Sequence, residues 1–176
     1  MPADFAPSSP LASRLGGSAL FTVSLLVILA LESAPIRLLP LPGGAPDTGF
    51  ALALAWMMRR PDQLPPWLLG ALFLLADLVH GVPPGAGAAL ALAACEFLRP
   101  RAKALAALPF WGRWLTVTAL ALARYPAEAL VLGVLLVPHP PLGTYLVSGL
   151  FTTAFWPSVA GFVHLLTGRR SRRQRG

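Results

Sequence analysis

The sequence has little charge. Only 12% of its 176 residues are Asp, Glu, Lys or Arg, against roughly 25% in a soluble domain that must coat its surface. That scarcity excludes a water-exposed exterior over most of the chain. Cysteine is nearly missing: the single Cys95 excludes an intrachain disulfide and a metal site built from paired thiolates. It lies in an apolar run, where a thiol packs as a small hydrophobe. The motifs of common catalytic and nucleotide sites are also absent. There is no G-x-S-x-G, no phosphate-binding glycine loop and no H-E-x-x-H, so the chemistries those patterns carry have no foothold here. No cofactor is expected.

What is plentiful is hydrocarbon. Apolar residues make up 56% of the chain and the mean hydropathy is +0.67, which predicts an all-α polytopic membrane protein with lipid as its first partner. A net charge of +7 and a pI near 11.3 are what a nucleic-acid-binding protein would show. The distribution argues otherwise. Basic residues stand in short clusters between apolar runs, and Arg169, Arg170, Arg172, Arg173 and Arg175 crowd the last eight positions. Cytoplasmic membrane loops have this pattern, and a nucleic-acid groove does not. The 19 prolines and 16 glycines punctuate the apolar runs, so they mark turns, not disorder.

In chain order, residues 1–14 read as a polar cytoplasmic tail, 15–167 as a single transmembrane domain and 168–176 as a basic cytoplasmic tail. The apolar segments are Leu15–Leu31, Thr48–Met58, Trp67–His80, Ala86–Leu98, Trp111–Val137 and Leu142–Leu166. Further apolar segments follow the first, which argues against a cleaved signal. The proline-rich stretch 35–47 reads as an interfacial loop. Thr48–Met58 is the difficult segment, because eleven helical residues rise only about 16 Å against a hydrocarbon core of about 30 Å. Charge arbitrates. With six spans and both termini inside, Arg14, Arg59, Arg60, Arg99, Arg101, Lys103, Arg113 and the five tail arginines all fall on the cytoplasmic side. If Thr48–Met58 failed to cross, the later basic clusters would change sides. The positive-inside rule therefore favours about six spans, and four spans with re-entrant pieces is the alternative.

The histidines do not form an obvious metal site. In this arrangement His80 and His139 lie at the outer side and His164 at the inner. Two histidines without a third ligand make a weak site, so local hydrogen bonds are the expectation. The five tryptophans are expected near helix ends as interface anchors, and Glu32 and Glu96 at the two boundaries are expected to be solvated. The charges within spans say more. Asp77 lies about eleven residues, roughly 16 Å, from the inner end of its span, and Arg124 lies roughly 20 Å from the inner end of its own. A charge at such depth costs about 2.5–3.5 kcal/mol on insertion scales unless it is paired. An Asp77–Arg124 pair is therefore expected, with Glu128, four residues after Arg124, competing for the guanidinium. Gly81-Val82-Pro83-Pro84-Gly85, just after Asp77, reads as a tight reversal between two helices.

The ordered set of these features resembles the MreD family of rod-shape membrane proteins over about residues 17–170. The parts are P-I-R-L-L-P-L-P after the first span, P-D-T-G-F-A-L-A-L-A-W from Pro46, and R-R-P at 59–61. The hairpin D-L-V-H-G-V-P-P-G from Asp77 is similar to the family's D-L-x-x-G-x-x-x-G signature, and P-A-E-A-L at 126–130 and F-W-P at 155–157 follow. Where the family often has a glycine about four residues before the aspartate, this chain has Phe73. The resemblance carries Asp77, Gly81, Gly85, Glu128 and Pro157 over as structural positions, whereas Arg124 rests on its depth alone.

It implies a non-enzymatic scaffold of the bacterial inner (cytoplasmic) membrane within the cell-wall elongation complex. The partners implied are MreC, MreB, RodA and a class B penicillin-binding protein. The implied architecture is also similar to the six-helix substrate-binding subunits of energy-coupling-factor transporters. That likeness supplies a second reading, a small-molecule-binding membrane subunit of a transporter. A third, an intramembrane enzyme, would need a nucleophile or a second acid beside Asp77.

Overall fold

A computed structural model describes residues 10–33, 46–137 and 141–173, and the regular structure among them is helical throughout. The helices are α1 Pro10–Ser33, α2 Thr48–Arg59, α3 Pro66–His80, α4 Ala86–Leu98, α5 Ala102–Ala107, α6 Phe110–Val134 and α7 Leu142–Arg173. Short 3-10 turns at Pro61–Gln63 and Arg99–Arg101 join α2 to α3 and α4 to α5. Expectations placed on residues 1–9, on most of the loop 35–47, on Arg37 and on His139 lie outside the described residues. Three helices are long and apolar enough to cross a membrane, over Leu11–Ser33, Phe110–Val134 and Gly143–Thr167. Their outer faces carry exposed Val23, Val27, Leu115, Leu130, Leu150 and Phe155, as a lipid-facing surface requires.

Two boundaries differ from expectation by five residues or more. α1 begins at Pro10, five residues before Leu15, with proline in the first turn where its missing N–H costs nothing. α7 continues past Leu166 to Arg173, so part of the basic tail extends the last helix. The short α5 is an addition, and its Ala102 and Leu105 are buried.

Hydrogen bonds locate the ends of the bundle. At one end Glu32 accepts from Thr48 and lies 3.2 Å from His80, joining the finish of α1 to the start of α2 and the finish of α3. At the other, Ser18 donates to the Gln63 carbonyl at 2.5 Å, and Arg59 Nη1 meets His164 Nδ1 at 2.9 Å. The six longer helices thus alternate in direction. Arg14, Arg59, Arg60, Arg99, Arg101, Lys103 and Arg113 gather at the second end.

The centre of the bundle is α2. Every residue from Gly49 to Met58 is buried, surrounded by α1, α4, α5 and α7. Its sequence, G-F-A-L-A-L-A-W-M-M, is apolar on every side, which is the pattern of a fully enclosed helix. This resolves the length problem: α2 is enclosed by its neighbours, with α1 and α7 much the longer, so its roughly 18 Å need not match the hydrocarbon thickness. Between membrane helices hydrophobicity supplies little net attraction, so close packing must hold them. Gly49 allows that approach, since a Cβ there would sit 2.9 Å from Leu25 Cδ1.

Trp56 departs from its expected place at the membrane interface. It is fully buried, edge-on to Phe21 with ring centroids 5.6 Å apart, and its indole donates to Gln63 Oε1 at 3.1 Å. Trp156 is buried too. Trp67 and Trp111 are exposed, as interface anchors would be.

The basic end is closed by Arg99. Its guanidinium donates to both oxygens of Glu96 at 2.8 and 2.7 Å, to the Pro61 carbonyl at 2.9 Å and to the Leu64 carbonyl at 2.6 Å. Glu96 is therefore not simply solvated: it orients an arginine that ties the α2–α3 turn to α4. Replacing Arg99 with Ala should destabilise the detergent-solubilised protein by about 1–2 kcal/mol, because two carbonyls lose charged donors at a partly exposed site. Arg101→Ala, whose guanidinium bonds the Phe97 carbonyl and lies over the Phe97 ring at an exposed position, should cost under about 0.5 kcal/mol in the same thermal unfolding series.

Candidate functional site

Two helices begin inside the bundle, and an aspartate caps the start of each. Asp47 is the N-cap of α2, and its Oδ1 accepts from the Phe50 N–H at 2.7 Å. Its own N–H donates to Thr152 Oγ1 on α7 at 2.9 Å, and its Oδ2 pairs with Arg124 Nη1 on α6. Arg124 precedes the end of α6 by ten residues and Thr152 follows the start of α7 by ten. The start of α2 therefore lies roughly 15 Å below the ends of its two tall neighbours.

Around it the polar groups are closely accounted for. The single Thr152 hydroxyl hydrogen goes to the Ser148 carbonyl at 2.8 Å, leaving its lone pairs for Asp47 N–H and for Tyr125 OH at 3.0 Å. Arg124 has a side chain only 9% exposed, with Nη2 at 3.9 Å from Glu128 Oε2 and the guanidinium 4.5 Å from the Phe50 ring centroid. Its Nε is buried without an acceptor.

Asp77 serves α4 in the same way from a different helix. Gly85, the N-cap of α4, has φ +107 and no side chain to offer. Asp77 Oδ2 supplies the missing acceptor, taking the Gly85 N–H at 2.9 Å and the Ala88 N–H at 3.0 Å. These are two of the donors that a helix start leaves unpaired. On the near side of the turn the Asp77 backbone carbonyl accepts from Val82 N–H at 3.1 Å and the Leu78 carbonyl from Gly81 N–H at 3.2 Å. With Gly81 at φ +68, this is the Schellman ending, which needs a residue free to be left-handed. Pro83 and Pro84 bridge the two glycines. One aspartate thus binds both sides of the reversal.

The expected Asp77–Arg124 ion pair is not made. Arg124 engages Asp47 and Glu128, while Asp77 is taken up by backbone donors. The reason is topological: α4 packs against both α3 and α6 and stands between them. Gly87 of α4 marks the crossing, where a Cβ would sit 2.5 Å from Asp77 Oδ1 and 3.4 Å from Arg124 Nη2. Asp77 accordingly fixes α3 to α4, not α3 to α6.

Sequence reasoning missed Asp47 and Gly87. An aspartate immediately before an apolar run is an N-cap signal, but Asp47 stood in a stretch read as an interfacial loop. Gly87 was one small residue among many in an alanine-rich helix.

Pro157 belongs to a different contact. Lacking an N–H, it cannot bond the Thr153 carbonyl four residues before it, and Trp114 Nε1 of α6 donates to that carbonyl at 3.0 Å instead. The proline thereby creates a tie between α6 and α7. Among the described residues no three His, Cys, Asp or Glu side chains gather as a metal site. No family model, curated protein or solved structure matches the chain.

Two outcomes follow from this geometry. Gly87→Ala should destabilise the folded protein by about 2 kcal/mol or more, since the new methyl displaces a cap carboxylate that has no room to retreat. Asp77→Asn, which keeps an oxygen acceptor, should cost under about 1 kcal/mol and Asp77→Ala about 2 kcal/mol. In double-mutant cycles read by thermal unfolding, Asp47→Asn and Arg124→Gln should couple by about 1–3 kcal/mol. Asp77→Asn with Arg124→Gln should come closer to additive, and strong coupling there would contradict the capping assignment.

Proposed function

We propose that the chain is an MreD-like scaffold of a bacterial inner membrane. In this reading it has six spans and both termini in the cytoplasm. It catalyses nothing itself, and holds MreC in an elongation complex with MreB, RodA and a class B penicillin-binding protein. The observation that carries the reading is the hairpin. Three of the four positions shared with the D-L-x-x-G-x-x-x-G signature act mechanically, for Asp77 caps α4, Gly81 ends α3, and Gly85 turns the chain into α4. A motif in which most residues set the relation of two helices suits a protein whose product is a shape. The alternation of the six longer helices and the gathering of basic side chains at one end support six spans with that end cytoplasmic. On its outward side α4 offers exposed Ala89, Ala93 and Phe97, a smooth lane on which another membrane helix could close.

The transporter-subunit reading draws on one feature, the recessed polar group of Asp47, Arg124 and Glu128. Broken and short helices with charges near the midplane are how transporters build binding sites. Against it, Asp47 is already committed to a helix cap and an ion pair, which leaves little to grip a solute.

Depletion decides between them. Removing the protein from its rod-shaped host should widen and round the cells. Wild-type and Asp77→Asn copies should restore the width, and Gly87→Ala should restore it poorly. Unchanged width on depletion, with a growth defect corrected by an added nutrient, would overturn the scaffold in favour of transport.

A further inference from the structure

At the basic end, away from the capped hairpin, α2, α5, α6 and α7 enclose a cavity of about 570 Å³. Its polar wall is made of donors. Arg59 and Arg60 come from the end of α2, Arg113 from the first turn of α6, and His164 and Thr167 from α7, and among the described residues no carboxylate lines it. Arg113 Nε and Trp156 Nε1 are buried behind the open space of the cavity. Trp156 is 3% exposed. Three guanidiniums on one cavity call for an anionic partner.

The charges add to the demand. Arg113 is near enough to Arg59 for the like charges to repel, and Arg59 turns to His164 Nδ1 at 2.9 Å. Because a guanidinium can only donate, that bond makes Nδ1 the lone-pair nitrogen and leaves the His164 Nε2–H as a further donor. The remaining wall is apolar, with Met58, Phe110, Pro157 and Ala160 beside Trp156.

We infer that this cavity binds the phosphate-bearing headgroup of an anionic membrane lipid. The phosphate oxygens would accept from Arg59, Arg60 and Arg113, and the glycerol and upper acyl carbons would lie on the apolar wall. Three guanidiniums without a counter-carboxylate select for anionic oxygen, which arginine's fork geometry matches. The apolar half selects against a free ion, which could satisfy the donors but would leave that wall unfilled. Basic clefts between membrane helices hold anionic headgroups by this combination. The inference is independent of the scaffold reading, since it concerns other residues at the opposite end.

The test uses the full chain in detergent, with native mass spectrometry after equilibration with phosphatidylglycerol or phosphatidylcholine of identical acyl chains. Phosphatidylglycerol should be retained at least about tenfold better, and Arg113→Gln should remove most of that preference. Lys103→Gln, an exposed basic change outside the cavity, should leave it intact. Arg60→Gln, at an exposed position of the same wall, should lower retention severalfold with little change in melting temperature, which keeps the test valid if Arg113→Gln fails to fold. Inorganic phosphate in millimolar excess should not displace the lipid. Equal retention of the two lipids, loss with Lys103→Gln as large as with Arg113→Gln, or full displacement by inorganic phosphate would each overturn the inference. The last result would reassign the cavity to a soluble anion.

Discussion

A helix that starts inside a membrane protein has donors that neither lipid nor water can satisfy, and each unmet N–H there costs several kcal/mol. Much of this fold answers that constraint. α6 and α7 run roughly 15 Å past the start of α2. α2 and α4 are barely half as long, at roughly 18 and 20 Å, and must find acceptors within the protein. Asp47 and Asp77 supply them. Two carboxylates that look expensive in apolar sequence are therefore what permits short helices to exist at that depth.

The two caps differ in how they are anchored. Asp77 acts across a turn of seven intervening residues and needs only the glycine hinges to reach its targets. Asp47 caps its own helix and is held in turn by Arg124 from α6 and Thr152 from α7. The central helix is thus fixed at its start by the two helices that enclose it. Glu128 at 3.9 Å is a looser partner, and the Phe50 face covers the guanidinium from the other side. Removing either member of the Asp47–Arg124 pair would strand a buried charge, which is far more damaging than the net worth of the pair suggests.

How much of this could be read beforehand depends on the range of the interaction. The hairpin was legible because its signals are local: glycines flanking two prolines can do little but turn the chain. Segment positions were legible for the same reason, apart from ends such as Pro10 and Arg173, where helices continue through polar residues. Arg124 was recognised as needing a partner, but the partner lies 77 residues away, and similar depth along two helices does not say which helix stands between them. Trp56 misled because tryptophan prefers interfaces on average, while its neighbours G-F-A-L-A-L-A leave no polar side to place toward water. Arg99 gave no sign at all. Its carbonyl targets at Pro61 and Leu64 are backbone groups of a turn, and side-chain patterns cannot disclose those.

The same central helix connects the two ends. α2 carries a dipole with its positive pole at Asp47 and its negative pole at Arg59 and Arg60, and both sets of charges oppose the pole they meet. On a surface helix water would screen that field, but α2 is enclosed over its whole length, so it persists. The arginines at its lower end are therefore held partly by the helix terminus. That helps explain how Arg59, Arg60 and Arg113 can crowd one cavity with no carboxylate among its described lining residues. The terminus offsets only about half a charge, against three guanidiniums. The remainder is what an anionic occupant would neutralise, with its oxygens received by the guanidiniums of the wall.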